Sequence, residues 1–208
     1  MPPRQRSDNK TVNENARKGQ RTRVEIIEAG YRLFLKQGYH ATTMRRIAKE
    51  AGLALGAAYN HFEGKEDIFI AVLLAHHPSL EIMPALQVAQ GDTAEAVVRN
   101  AAARMVETLG DRGDVLNLMF IELVELEGKH VSLLFEHFYP RVAGFAERLM
   151  QFHGALRDLS PASILRSFLG LFFSYFMTER LIGSQLPPEM KEGAFDQFVD
   201  IYLHGILA

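Results

Sequence analysis

Residues 42–65 read TTMRRIAKEAGLALGAAYNHFEGK, and the spacing of their apolar positions is the strongest guide to the fold. Met44, Ile47, Ala48 and Ala51 recur at i, i+3, i+4 and i+7, which places them on one face of a short helix. Thr42 or Thr43 precedes it as the N-cap, and Gly52 stops it. A second short helix is expected over about Leu55 to Phe62. Two short helices joined by a tight, glycine-containing turn form a helix-turn-helix, in which the first helix braces and the second enters the major groove of DNA. That groove is about 12 Å wide, so a helix fits only where its exposed face is small or polar. Gly56, Ala57, Ala58 and Asn60 meet that condition. The Asn60 amide suits an adenine edge, Ala57 a thymine methyl, and Leu55 and Gly56 open the same helix.

Candidate phosphate donors surround this reader. Thr43 stands at a helix N-terminus, where unpaired N–H groups favour an anion. Arg45 and Arg46 begin the bracing helix within reach of phosphate or a guanine, Tyr59 and His61 close the recognition helix, and Lys65 opens the next one. Contacts of this kind fix register on a duplex without reading its sequence. Read blandly, the arginines are solvated helix surface and Tyr59 is a core tyrosine with a satisfied hydroxyl.

Outward from this stretch, helical periodicity continues and almost nothing reads as a strand, so the expected class is all-α. Ile26, Ile27, Gly30, Leu33 and Phe34 mark one face of a helix starting near Arg23 and ending at Gly38. After Gly64, Glu66 and Asp67 occupy a first turn where carboxylates favour the dipole, and Ile68, Phe69, Val72 and Leu73 point inward. Breaks are expected near Pro78 and Pro84. Further helices are expected over 93–109, 115–127 and 129–155, the last as one helix or two with a kink at Pro140. Ser160 and Pro161 start another, running to Gly183, and Pro187-Pro188 starts the last.

Charge is unevenly distributed. The 208 residues carry a net charge of −2, yet residues 1–65 hold 13 Lys+Arg against 6 Asp+Glu, a net of +7, and the remainder carries −9. A basic end on an acidic body points to a polyanion partner for that end. Residues 1–20, nearly devoid of apolar side chains, are expected to form a basic disordered arm. The absence of cysteine excludes disulfides, thiolate metal sites and thiol-based redox sensing. The longest apolar run, between Arg166 and Glu179, falls short of the roughly 20 residues a membrane span requires, and no apolar signal segment precedes it. A cytoplasmic protein with no membrane partner is therefore expected.

The segments Thr43-Met-Arg-Arg-Ile47-Ala48-Lys-Glu-Ala51-Gly52-Leu53 and Ala57-Ala-Tyr59-Asn-His61-Phe62-Glu-Gly-Lys65-Glu66-Asp-Ile68 closely resemble the DNA-binding signature of the TetR family of bacterial transcriptional regulators. The resemblance is specific over about Arg23 to Leu73. It implies a helix-turn-helix domain over 21–66 and a helical effector-binding and dimerisation domain over 67–208, assembled as a homodimer on a palindromic operator. By that resemblance Thr43, Tyr59, His61 and Lys65 contact phosphate, and the helix holding Leu55 to Asn60 contacts bases. One departure is Ala54, where the family usually has Ser or Thr; alanine cannot cap the following helix, at a cost of about 1 kcal/mol.

The helix over 161–183 is aromatic on more than one face, which suggests that Phe168, Tyr175 and Phe176 meet a partner subunit with Phe195, Phe198, Val199, Tyr202 and Ile206 of the last helix. An apolar effector pocket is expected among Met105, Leu109, Met119, Leu123, Phe138, Leu149 and Phe172. No cofactor, metal or enzymatic activity is expected. A dimetal helical bundle needs two Glu-x-x-His motifs, whereas this chain has one, Glu127 to His130, broken by Gly128. The remaining alternative is a helical partner-binding protein without sequence-specific DNA binding.

Overall fold

The computed structural model describes residues 5–77, 79–109, 113–152 and 154–208. Its helices are α1 (Gln5–Gln37), α2 (Met44–Glu50), α3 (Leu55–Tyr59), α4 (Lys65–His76), α5 (Ser79–Gln87), α6 (Ala94–Leu109), α7 (Gly113–Glu125), α8 (Val131–Leu149), α9 (Pro161–Ile182), α10 (Pro188–Lys191) and α11 (Ala194–Ile206). Among the described residues there is no strand, only an isolated bridge between Leu156 and Leu207, as the all-α class requires. No helix among them is long and apolar enough to cross a membrane.

The chain divides into two units, one of residues up to His77 with Asp114–Val131 and the other of the remainder. The expected boundary at 66/67 is therefore displaced: α4 and α7 both belong with the reader helices. In the first unit α1 packs on α4 through Gly30, where a Cβ would lie 2.7 Å from Ile68 Cγ2, so only a bare backbone permits the approach. Ile26, Phe34, Ile47, Ala58, Ile68, Phe69 and Val72 are buried around this contact. Phe34 and Phe69 meet edge-on with ring centroids 5.0 Å apart, and Tyr39 completes the aromatic cluster. Burying a side chain of this size contributes roughly 1.5–3 kcal/mol.

Residues 5–20 are a correction to the disordered arm, since α1 already begins at Gln5. Extending a helix from an existing nucleus costs far less than starting one, and no proline interrupts residues 5–37. Residues 1–4 of that arm lie outside the described residues.

In the second unit one core joins Leu86 of α5, Val98, Ala101 and Met105 of α6, Phe145 and Leu149 of α8, Ile164, Phe168 and Phe172 of α9, and Val199, Tyr202 and Ile206 of α11. The Tyr202 hydroxyl donates to the Ile164 carbonyl at 3.0 Å, pinning α11 to α9, and burial pushes that phenol above its ordinary range. Ser160 caps α9 by accepting from the Ser163 N–H at 3.1 Å, with Pro161 at the first helical position. Pro84 does not interrupt its segment but lies inside α5 on the exposed side, where water can satisfy the carbonyl that loses its N–H partner; Pro78 lies outside the described residues. Pro187-Pro188 starts only the short α10, because Gly193, at φ 65°, breaks the chain before α11.

Candidate nucleic-acid interface

The bracing helix α2 is capped by Thr43, whose hydroxyl accepts from the Arg46 N–H at 3.3 Å. Its neighbour Thr42 is buried and bonds inward, donating to the Gly38 carbonyl at 2.8 Å. Of the two threonines only Thr43 is exposed at the helix start. The turn from α2 to α3 passes through Gly52 at φ 70°, a left-handed conformation that glycine adopts without penalty. Ala54 precedes α3 without a side-chain cap, as its chemistry dictates.

The recognition helix is shorter than expected, Leu55–Tyr59, with Asn60 at its C-cap; Phe62 is buried in the core, and its N–H bonds the Ala58 carbonyl at 3.1 Å. Ala58 is fully buried and so does not face the groove, which corrects its assignment. Gly56 and Asn60 are exposed, and Leu55 and Ala57 are half-buried. A Cβ at Gly56 would meet nothing within 4 Å, so this face is open to a ligand. Tyr59 is 51% exposed, which excludes the core-tyrosine reading.

Thr43, Arg45, Leu55, Tyr59 and Lys65 converge on one surface depression of about 410 Å³, with His40, Thr42 and Met44. Half of the expected DNA contacts are thus gathered from three helices. Arg46 turns away, donating to the Gln37 side chain and the Ala41 carbonyl at 3.0 Å each, and so braces the α1–α2 turn. His61 is half-buried beside Gly19 of α1. The Lys65 ammonium donates to the Tyr39 carbonyl at 2.7 Å and lies 3.9 Å from the Tyr39 ring centroid. Partial burial lowers its pKa from the usual lysine range, opposed by Glu125. An ammonium has three donors, so Lys65 keeps capacity for a phosphate oxygen.

Two features of this unit escaped the sequence reading. His40 lies in the depression, its N–H bonded to Glu125 Oε2 at 2.8 Å and its Nε2 3.0 Å from the Glu125 carbonyl oxygen. Glu122 is fully buried, accepting from the His130 N–H at 2.5 Å and contacting His130 Nδ1 at 2.9 Å. His130 Nε2 reaches Glu66 Oε1 at 3.2 Å, and Lys129 reaches the same oxygen at 2.5 Å. The Lys129 hydrogen bond, then that of His130, holds the Glu66 carboxyl below the usual range. The histidine of the lone Glu-x-x-His thus pairs with Glu122 rather than Glu127. The one sequence signal was a glutamate inside the apolar run of α7, where an unpaired charge is costly.

The pocket and subunit-contact expectations fare unevenly. Met105, Leu149, Phe172 and Phe138 are buried in the second unit, whereas Met119 and Leu123 belong to the first, with Leu123 53% exposed. The Leu109 side chain lies outside the described residues. Phe168, Val199, Tyr202 and Ile206 are sealed within their own unit's core and offer no surface to a second copy. Tyr175, Phe176, Phe195 and Phe198 are half-buried. The apolar side chains left exposed on α9 and α11 include Leu169, Phe173, Leu181 and Ile201. Helical rotation of 100° per residue explains the correction: positions one removed from a core contact point elsewhere.

A braced short helix with an open, small-residue face, ringed by cationic and hydroxyl donors, is the reader of a helix-turn-helix DNA-binding protein. Residues 26–72 match the family model of bacterial regulatory proteins, tetR family. The chain is 26% identical over 168 residues to the transcriptional repressor AcnR of Corynebacterium diphtheriae, covering 77% of this chain and 82% of that protein. It is 21% identical over 189 residues to the HTH-type regulator YvkB of Bacillus subtilis, covering 90% and 98%. A TetR-family regulator structure from Mesorhizobium loti shares the fold, with a TM-score of 0.71, 22% identity and coverage of 91% and 98%. Residues 26–72 thus form a DNA-binding domain of the tetR type, and over most of its length the chain is similar to transcriptional regulators rather than to enzymes.

Proposed function

We propose that this protein is a repressor that binds a palindromic operator as a homodimer and is released by a small apolar effector. The observation that carries the reading is the convergence of Thr43, Arg45, Leu55, Tyr59 and Lys65 beside the open face of α3. Backbone donors and cations there hold register, while Gly56, Ala57 and Asn60 meet base edges. A repressor is favoured because the relative AcnR is one. Two copies would present their α3 helices to successive major grooves, about 34–36 Å or a multiple apart.

The effector is expected among the apolar side chains of the second unit, with Met105, Phe138, Leu149 and Phe172 as the first to vary. Release requires that it bind the non-operator conformer more tightly, since a ligand shifts an equilibrium only by its differential affinity. Selecting bound fragments from genomic DNA with the full-length protein, followed by footprinting, tests the reading. Enrichment of a palindrome protected at both half-sites is the expected result. Enrichment of no palindrome rejects it.

A further inference from the structure

We infer that the N-terminal part of α1 is a second duplex-binding element, which grips phosphates flanking each half-site. The inference rests on the DNA-binding reading above and extends it beyond the helix-turn-helix. The family match begins at residue 26, yet α1 begins at Gln5, so several helical turns precede the matched region. Residues 4–21 carry Arg4, Arg6, Lys10, Arg17, Lys18 and Arg21 against Asp8 and Glu14. The position of this helix beside the reader is marked by Gly19, where a Cβ would lie 4.0 Å from His61 Cε1. It is also marked by Arg23, whose guanidinium lies 4.5 Å from the Phe62 ring centroid. The basic turns of α1 therefore emerge beside the C-terminal end of the recognition helix.

Which cations are available follows from their partners. Arg21 is paired with Glu25 at 3.0 Å, Arg23 is stacked on Phe62, and Arg46 is tied to Gln37 and Ala41. Arg17 and Lys18, within one helical turn on the N-terminal side of Gly19, are exposed and have no ion-pair partner among the described residues. At 1.5 Å per residue, residues 5–18 extend about 20 Å, which matches some six base pairs of duplex at 3.4 Å each. A helix of this charge and reach, rooted at the reader, fits the polyanion the reader already engages. Arg17 and Lys18 are long, exposed cations, which suit phosphate rather than base edges.

The test compares wild type with R17Q/K18Q on three duplexes: the selected operator trimmed to its half-sites, the same operator with ten further base pairs on each side, and a scrambled duplex of the longer length. On the flanked operator the variant should lose about 1.8 from the slope of log K against log salt, since each neutralised phosphate contributes about 0.9. The wild-type advantage should then shrink about twelve-fold between 50 and 200 mM salt. On the trimmed operator the two proteins should bind alike. Equal slopes on the flanked operator overturn the inference, as does an equal loss on the trimmed one, which would place the two cations on the half-site itself. If wild type fails to prefer operator over scrambled duplex, the reader assignment is what fails. The slopes on scrambled DNA then still decide whether Arg17 and Lys18 meet phosphate. Circular dichroism melting, expected to be unchanged at these exposed positions, separates either result from misfolding.

Discussion

His130 Nδ1 lies 2.9 Å from Oε2 of the fully buried Glu122, across the turn that ends α7. The other Glu122 oxygen accepts from the His130 backbone N–H, so both carboxylate oxygens are engaged by one residue. Removing one partner of a buried pair leaves the other without compensation, typically at about 3–5 kcal/mol. Glu122→Ala is therefore expected to destabilise the protein by an amount in that range in urea unfolding. The double replacement Glu122→Leu with His130→Leu should recover a large part of the loss, because apolar groups leave nothing unsatisfied. A single variant as stable as wild type would show that the pair is dispensable.

Glu66, at the outer end of the same network, defines an acid dependence. Its carboxyl is held below the ordinary value of 4.5, first by the Lys129 hydrogen bond and then by His130. A depressed carboxyl contributes stability that is present above its unfolded value and lost as pH falls through the folded one. Stability should accordingly decline on acidification through and below pH 4.5, and Glu66→Gln should flatten that decline. Its exposure keeps the effect modest. Thermal melting between pH 3 and 6 measures it, and parallel curves for the two proteins would remove Glu66 from the acid response.

Asn60 and Lys65 should separate reading from holding. Asn60→Ala, at the exposed C-cap of α3, is expected to relax base preference at one position of each half-site, at about 1–3 kcal/mol of discrimination. Lys65→Ala should weaken binding across sequences and lower the salt slope by roughly 1. Retained specificity in the first variant, or an unchanged slope in the second, removes that residue from its role. Because Lys65 also holds the Tyr39 carbonyl, melting of the same variant shows whether the fold is intact.

Phe173 and Phe168 sit on the same helix with opposite expectations. Phe173 is 56% exposed and Phe168 fully buried. If α9 and α11 form the subunit contact, Phe173→Glu should shift the sedimentation equilibrium toward monomer while leaving the fold intact. Phe168→Ala should instead cost about 3–5 kcal/mol of stability through the cavity it leaves. A Phe173→Glu protein that remains fully dimeric places the contact on another surface.

Much of the fold was legible because its signals are local. The i, i+3, i+4 spacing of Met44, Ile47 and Ala48, the glycine at residue 52 and the Ser160-Pro161 start each act within one turn of helix. The recognition helix was expected to run to Phe62, whereas it ends at Tyr59 and the turn that follows carries Phe62 into a core that spacing does not reveal. Arg46 and Arg45 are neighbours of identical type, and only the positions of Gln37 and Ala41 tie down the first and leave the second facing the depression.

Short-range chemistry therefore determined an all-α chain, its turns and a DNA-reading motif, all written in residues a few positions apart. Three-dimensional packing decided the rest. It set Phe168 and Tyr202 inside rather than at a subunit contact, joined α7 to the reader unit, and brought Glu122, His130 and Glu66 into one network. The physical reason is that burial and charge pairing depend on which faces meet in space. Residues 64 apart in sequence, such as Glu66 and His130, carry no local mark of that meeting.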